Sequence, residues 1–217
     1  MTKAPARAVR PRRTPSASRA GGSSPHVAEK RQRRRAEILQ AALRAFGEKG
    51  YHRTTLEDIA EHLGVRKTAL YHYFPDKEAI LYECHRESLV QLARILREAL
   101  RLESAREQLE HVVREHVRVM TDTLQGSPLA FEVTALSREK QARMIAGRDR
   151  YERGVRRIIG RGMRSGEFTR GDPKVAVFVV LGAINWIARW YRPEGSLHAP
   201  ELGQEFVDRL LAGLVRR

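Results

Sequence analysis

From residue 29 onward, apolar residues recur at helical spacing, and no stretch alternates polar and apolar positions with a period of two. Residues three, four and seven apart share one face of an α-helix. Ile38, Leu39, Ala42, Leu43 and Phe46 therefore predict a first helix from about Glu29, ended by Gly50 after Lys49 in its last turn. Thr55-Leu56-Glu57-Asp58 reads as an N-cap with an acidic partner three residues on, and opens a short second helix to about Leu63. Gly64 supplies a tight turn. A third short helix covers about Lys67 to Phe74, where Pro75 stops it. Asp76 caps a long fourth helix that runs through Ile80, Leu81, Cys84, Leu89, Leu92 and Leu96 to about Leu100.

The later starts are equally marked. Ser104-x-x-Glu107 is a capping box ahead of Leu109, Val112, Val113, Val117, Met120 and Leu124. Ser127-Pro128 pairs a cap with a proline at the first helical position. A long helix is expected from Arg138 to Ser165, closed by Gly166. Asp172-Pro173 opens the most apolar helix, which ends near Tyr191 before Pro193, and Pro200 opens a last one with Leu202, Phe206, Leu210, Leu211 and Leu214. The expected fold is all-α, with about nine helices and no internal repeat. The longest apolar run, Val175–Ile184, is too short to span a bilayer and reads as a buried helix, so no membrane partner is expected.

Composition changes this picture at the N-terminus. Residues 1–28 are Pro, Ala, Ser, Gly and Arg with almost no large apolar side chains, so they are expected to be disordered. The 217-residue chain carries a net charge of +15, of which +10 falls within residues 1–35. A basic arm before a globular body suits a polyanion, or is simply a solvated tail. The single cysteine, Cys84, excludes a disulfide framework and a cysteine-based zinc site, and fits a reducing cytoplasm. No apolar stretch follows the basic start, so it is not a secretory signal.

Enzyme signatures are weak. Gly160-x-Gly162-x-x-x-Gly166 lacks dinucleotide-binding spacing and sits inside a predicted helix. His111 and Glu115 are mis-spaced for a zinc motif and read as an exposed i,i+4 pair. His116 and Asp122 fall near a possible pocket, but no nucleophile, base and orienter assemble at readable spacing. No catalytic residue, metal or cofactor is expected.

The strongest functional signal is the pair of short helices joined at Gly64, a geometry that lays the second helix in the major groove of double-stranded DNA. Leu56, Ile59, Ala60, Leu63, Val65 and Leu70 would pack this pair on the first helix. Residues 36–81, AEILQAALRAFGEKGYHRTTLEDIAEHLGVRKTALYHYFPDKEAIL, resemble the TetR family of regulators through Ala42, Phe46, Gly50, Thr55, Ile59, Ala60, Gly64, Val65, Leu70, Tyr71, Tyr73, Phe74 and Lys77. The family's third helix is its recognition helix. By position, the resemblance implies DNA contacts from Arg66, Lys67, Thr68, Tyr71 and His72, with Tyr73 beside them. Arg66 and Lys67 suit guanine edges or phosphate, and Thr68 a phosphate or a thymine methyl. Arg66 stands where the family often has a small capping residue. Tyr71 and Tyr73 offer phosphate-directed hydroxyls, or else pack the core. Lys77 and Thr55 lie at helix starts that can hold phosphate. Arg34, with Arg31, Arg33 and Arg35, can track the DNA backbone or enter a minor groove.

The resemblance divides the chain into a basic arm (1–28), a helix-turn-helix DNA-binding domain (29–81) and a ligand-binding and dimerisation domain (82–217). It implies a homodimer through the last two helices and a palindromic operator. The stretch Asn185-Trp186-Ile187-Ala188-Arg189-Trp190-Tyr191-Arg192-Pro193-Glu194-Gly195 is similar to TetR-type regulators of fatty-acid, phenylacetate and sterol catabolism, which respond to acyl-CoA thioesters. It implies an apolar slot touched by Met120, Phe131, Tyr151, Asn185 and Trp186, with Arg148, Arg189 and Arg192 at phosphates around its mouth. Alternatively, Trp186, Trp190 and Tyr191 pack the core and the dimer. Competing functions are a repressor responding to a hydrophobic drug-like ligand, a small-molecule enzyme or binding protein with an incidental basic head, and an architectural DNA protein.

Overall fold

The structure, a computed structural model, describes residues 25–124, 128–192 and 194–215, without the side chains of residues 123 and 128–131. The expectations for residues 1–24 and for a cap at Ser127 lie outside the described residues. The elements are α1 Pro25–Lys49, α2 Leu56–Glu61, α3 Lys67–Tyr71, α4 Lys77–Ala99, α5 Ala105–Arg118, a π-helical turn Val119–Thr123, a 3-10 segment Pro128–Ala135, α6 Arg138–Ser165, α7 Pro173–Trp190 and α8 Ala199–Ala212. Among the described residues the only strand-like pairing is a single bridge between Phe168 and Val215. The fold is all-α, as the periodicity predicts.

Local chemistry places most helix starts. Thr55 and Asp58 cap α2 reciprocally, as Ser104 and Glu107 cap α5. The Asp76 carboxylate accepts from the Ala79 amide at 2.7 Å, and Asp172 does the same for Lys174 beside Pro173. Each such cap contributes about 1 kcal/mol.

α2 and α3 have six and five residues, too short to hold without packing. Ile38, Ala42 and Phe46 of α1 bury together with Ile59, Ala60, Leu70, Phe74 and Ile80 to form the head's core. Between α2 and α3 the backbone passes through φ +62 at Gly64, a left-handed conformation that a Cβ would strain. The N-terminal turns of α4 belong to this core, while its C-terminal half packs on α5 and α6. α4 therefore joins head to body. In the body α5 packs on α8 and α6 on α7.

Several boundaries differ from expectation. α1 is already helical at Pro25, the first described residue, one turn before Glu29. α3 ends at Tyr71 rather than Phe74. The residue before a proline is disfavoured in helical conformation, and Phe74 instead buries beneath the turn, its amide on the Leu70 carbonyl at 2.9 Å. The helix from Ser104 does not reach Leu124 as a regular α-helix. It widens at Val119, where the Leu124 amide bonds the Val119 carbonyl five residues back. Residues after Pro128 form a kinked 3-10 segment.

α7 corrects the expectation of a buried helix. Val177, Val180, Leu181, Ile184 and Ile187 are buried, yet Val175, Phe178, Val179 and Trp186 are each more than half exposed. It is the one helix among the described residues that is long and apolar enough, by length and composition, to cross a membrane. One of its faces packs on α6 and the other is an uncovered apolar stripe.

Candidate nucleic-acid interface and effector cavity

α3 presents Arg66, Thr68, Tyr71 and His72 outward, all exposed. Tyr71 is half exposed, while Leu70 beside it is buried and anchors the helix. This is the outer face of the second helix of a helix-turn-helix, the face that enters a major groove. Arg66 occupies the N-cap position of α3 without a side-chain capping bond, so its guanidinium is not held by the helix start. Lys67 is half-buried and pairs with Glu57 of α2 at 2.8 Å, with its ammonium 5.8 Å from the centre of the Tyr71 ring. Tyr73 is half-buried and its carbonyl accepts from Arg35.

Four expected contacts have other work. Lys77 donates to the carbonyls of Tyr51 at 2.8 Å, His52 at 3.3 Å and Thr54 at 2.7 Å, and lies over the Tyr51 ring. Its three N–H donors are thus taken, and burial pushes the ammonium's pKa down. It ties the α1–α2 turn to α4 and does not offer a free cation to phosphate. Thr55 gives its hydroxyl to the Asp58 carboxylate, which is held well below the usual carboxylate range by its bonds to Lys49 and Thr55. Arg34 pairs with Glu37 one turn on, at the rim of the head. Arg35, expected with it along the DNA backbone, points inward to the Tyr73 carbonyl, the Phe74 ring and Glu83.

A cavity of about 480 Å³ lies in the body, within the size range of small-molecule sites. α4 contributes His85, Ser88, Leu89 and Leu92. His116 of α5 and the π-turn residues Val119 and Met120, with Leu124, form a second wall. α6 supplies Arg148, Asp149, Tyr151 and Glu152, and α7 supplies Phe178, Leu181, Gly182 and Asn185. The widened helix at 119–123 faces this cavity, a placement typical of π-bulges at functional sites. Of the expected ligand contacts, Met120, Arg148, Tyr151 and Asn185 line it together. Trp186 and Arg189 do not. Both are exposed on α7. The side chain of Phe131 is outside the described residues. Tyr191 is buried, and Arg192 donates to the Tyr191 carbonyl at 2.9 Å.

The sequence reading missed His85, whereas His116, set near a possible pocket, lines the cavity. Each is a polar residue within an apolar stripe, His85 between Leu81 and Leu89, His116 between Val112 and Met120, and that interruption was the readable signal. Burial holds His116 down to about 4, and burial together with the Arg148 charge holds His85 down to about 3, so both rings are neutral at pH 7. Tyr151 meets His116 at 3.4 Å and its phenol is pushed up by burial. The expected His111–Glu115 pair does not form. His111 faces Glu98 across α4 and α5 at 3.5 Å, and Glu115 pairs with Arg118. Among the described residues no His, Cys, Asp or Glu cluster could hold a metal.

Comparison with known proteins agrees with this two-part architecture. Residues 38–84 match the family described as bacterial regulatory proteins, tetR family, and residues 102–214 match the tetracyclin repressor-like C-terminal domain. The chain belongs to the TetR family. It is a helix-turn-helix, DNA-binding transcriptional regulator. The HTH-type transcriptional repressor KstR2 of Mycobacterium tuberculosis is 27% identical over 194 residues, 84% of this chain and 94% of that protein. The solved structure of that ketosteroid transcriptional regulator superposes with a TM-score of 0.77 over 85% of this chain and 96% of its own, at 25% identity. The TetR-family regulator PfmR of Thermus thermophilus is 36% identical with a TM-score of 0.74, covering 82% of this chain and 99% of PfmR. The Bacillus subtilis protein named fatty acid metabolism regulator is 25% identical over 189 residues, 82% of this chain and 94% of that protein. These relatives are regulators of transcription rather than enzymes.

Proposed function

We propose that the protein is a homodimeric, cytoplasmic repressor that binds a palindromic operator through α3 and is released by an acyl-CoA thioester. The carrying observation is the body's cavity of about 480 Å³, built on the same helix, α4, that enters the head's core. Ligand in that cavity bears on Leu89 and Leu92 of α4 and on the widened turn of α5. A ligand that prefers one setting of α4 shifts the population of head spacings, and only one spacing matches two successive major grooves. The uncovered apolar stripe of α7, with the half-buried Phe206 and Leu210 of α8, supports a two-fold interface through these helices. The thioester reading is supported by relatives named for fatty-acid metabolism and for ketosteroid regulation. DNA contacts are assigned to Arg66, Thr68, Tyr71 and His72, flanked by Lys67, Tyr73, Thr55 and Arg34.

A mobility shift on the protein's own promoter, titrated with acyl-CoAs, tests both halves. Retarded promoter that is released by a thioester is the expected result. Release by hydrophobic drug-like compounds and by no thioester would overturn the effector assignment.

A further inference from the structure

Arg148 and His85, both in the cavity lining, meet each other and leave further N–H donors without an acceptor. Arg148 reaches from α6 to within 3.4 Å of Nδ1 of His85 on α4, donating to it. Among the described residues no carboxylate lies within salt-bridge distance of Arg148, although burial lowers its pKa and makes an unpaired guanidinium costly. Because Nδ1 of the neutral His85 accepts from Arg148, its proton sits on Nε2. That nitrogen is buried and has no partner, in a ring only 2% exposed. Both side chains line the cavity, whose wall nearby is apolar through Leu89, Leu92 and Phe178. Arg148 is half-buried in this lining, with its guanidinium toward His85.

We propose that Arg148, oriented by its hydrogen bond to His85, donates to one carbonyl oxygen of the effector, whose apolar chain fills the rest of the chamber. The inference rests on the effector-binding reading above and specifies which atom of the ligand is recognised. Two carboxylates, Asp149 and Glu152, also line the cavity. Asp149 is exposed, and Glu152 lies 3.4 Å from Arg156 with its Oε1 buried and without a hydrogen bond. With Glu152 paired to Arg156, Asp149 balances the Arg148 charge in the lining and leaves no net positive charge for an anion. A neutral acyl carbonyl, such as that of a thioester, is favoured over the free carboxylate of the same chain.

Isothermal titration of the full chain with decanoyl-CoA, S-decyl-CoA and decanoate separates these terms. S-decyl-CoA is a thioether that differs from the thioester only in having no carbonyl. Wild type is expected to bind decanoyl-CoA at least about tenfold more tightly than either other probe, the order of a charge-assisted hydrogen bond. Arg148→Met, which keeps the apolar stem, is expected to bring decanoyl-CoA and S-decyl-CoA to within about twofold while leaving S-decyl-CoA affinity unchanged. His85→Phe should reduce the same preference in part. Equal wild-type affinity for thioester and thioether, or a preference that survives in Arg148→Met, overturns the carbonyl subsite and leaves effector binding standing. Tighter binding of decanoate than of decanoyl-CoA overturns the neutral-carbonyl assignment. Binding of none of the three overturns the thioester reading itself, and this subsite with it.

Discussion

Replacing Trp186 with Asp is the sharpest perturbation of the proposed dimer. Trp186 is 59% exposed in the protomer, so its loss removes little from the protomer's own core. Tryptophan presents up to about 250 Å², so roughly 150 Å² of this side chain remains for a partner to cover. At about 25 cal/mol per Å² that burial is worth roughly 3–4 kcal/mol in each subunit, and two-fold symmetry counts it twice. Area converts incompletely into affinity, so about 4 kcal/mol is a conservative expectation, or roughly a thousandfold in dimer Kd. Two aspartates brought toward the symmetry axis add repulsion. Sedimentation equilibrium at micromolar protein should show a dimer for wild type and a monomer for Trp186→Asp, with unchanged far-ultraviolet circular dichroism and lost operator binding. A variant that stays dimeric with unaltered Kd would refute the assignment of the α7 stripe to the interface.

Other substitutions probe single features. Lys77→Met strips three backbone carbonyls of their donor and should destabilise the head by about 3 kcal/mol by chemical denaturation, removal of a charged donor costing roughly 1.5–3 kcal/mol even before the orphaned carbonyls are counted. If Lys77 instead served a phosphate, stability would hold and the salt dependence of DNA binding would fall. Gly162→Ala places a Cβ against the ring of the buried Phe168 and beside Ala105, and should cost about 1–3 kcal/mol as overpacking; an unchanged denaturation midpoint would contradict that packing. His116 has its pKa depressed by burial to about 4, against about 6.5 when unfolded, so the unfolded chain binds the extra proton between these values. Its contribution is complete above about pH 6.5 and lost as pH falls toward 4, at about 1.4 kcal/mol per pH unit. His116→Gln should make stability measured at pH 6 and pH 5 differ by about that much less than in wild type; identical slopes would mean His116 is not held neutral.

What was legible in the sequence was local. Thr55 with Asp58, Ser104 with Glu107 and Asp172 with Pro173 declare helix starts because cap and partner are neighbours in the chain. The recognition helix followed from the same signals plus the turn at Gly64. Tertiary choices were not legible. Every position of α7 is apolar over the stretch 175–184, so periodicity cannot say which face a partner helix takes, and the sequence leaves Trp186, which is exposed, open between a ligand contact and packing. Lys77 resembles a phosphate ligand in sequence because its three acceptors belong to residues 51–54, more than twenty positions away. The meeting of Arg148 with His85 is not legible, since only the packing of α6 on α4 brings them together. The widening of α5 at Val119 leaves no composition signal at all.

The proposal that α3 reads DNA sequence, rather than merely carrying charge, is tested most directly by fluorescence anisotropy. Its own promoter fragment is compared with a scrambled fragment of equal length, for wild type and for Thr68→Ala/Tyr71→Ala, across a salt series. Sequence discrimination of about a thousandfold or more is expected in wild type, and it should collapse in the double variant while residual binding to the scrambled fragment persists. Equal affinity of wild type for both fragments, or discrimination that survives loss of the Thr68 and Tyr71 side chains, would contradict it.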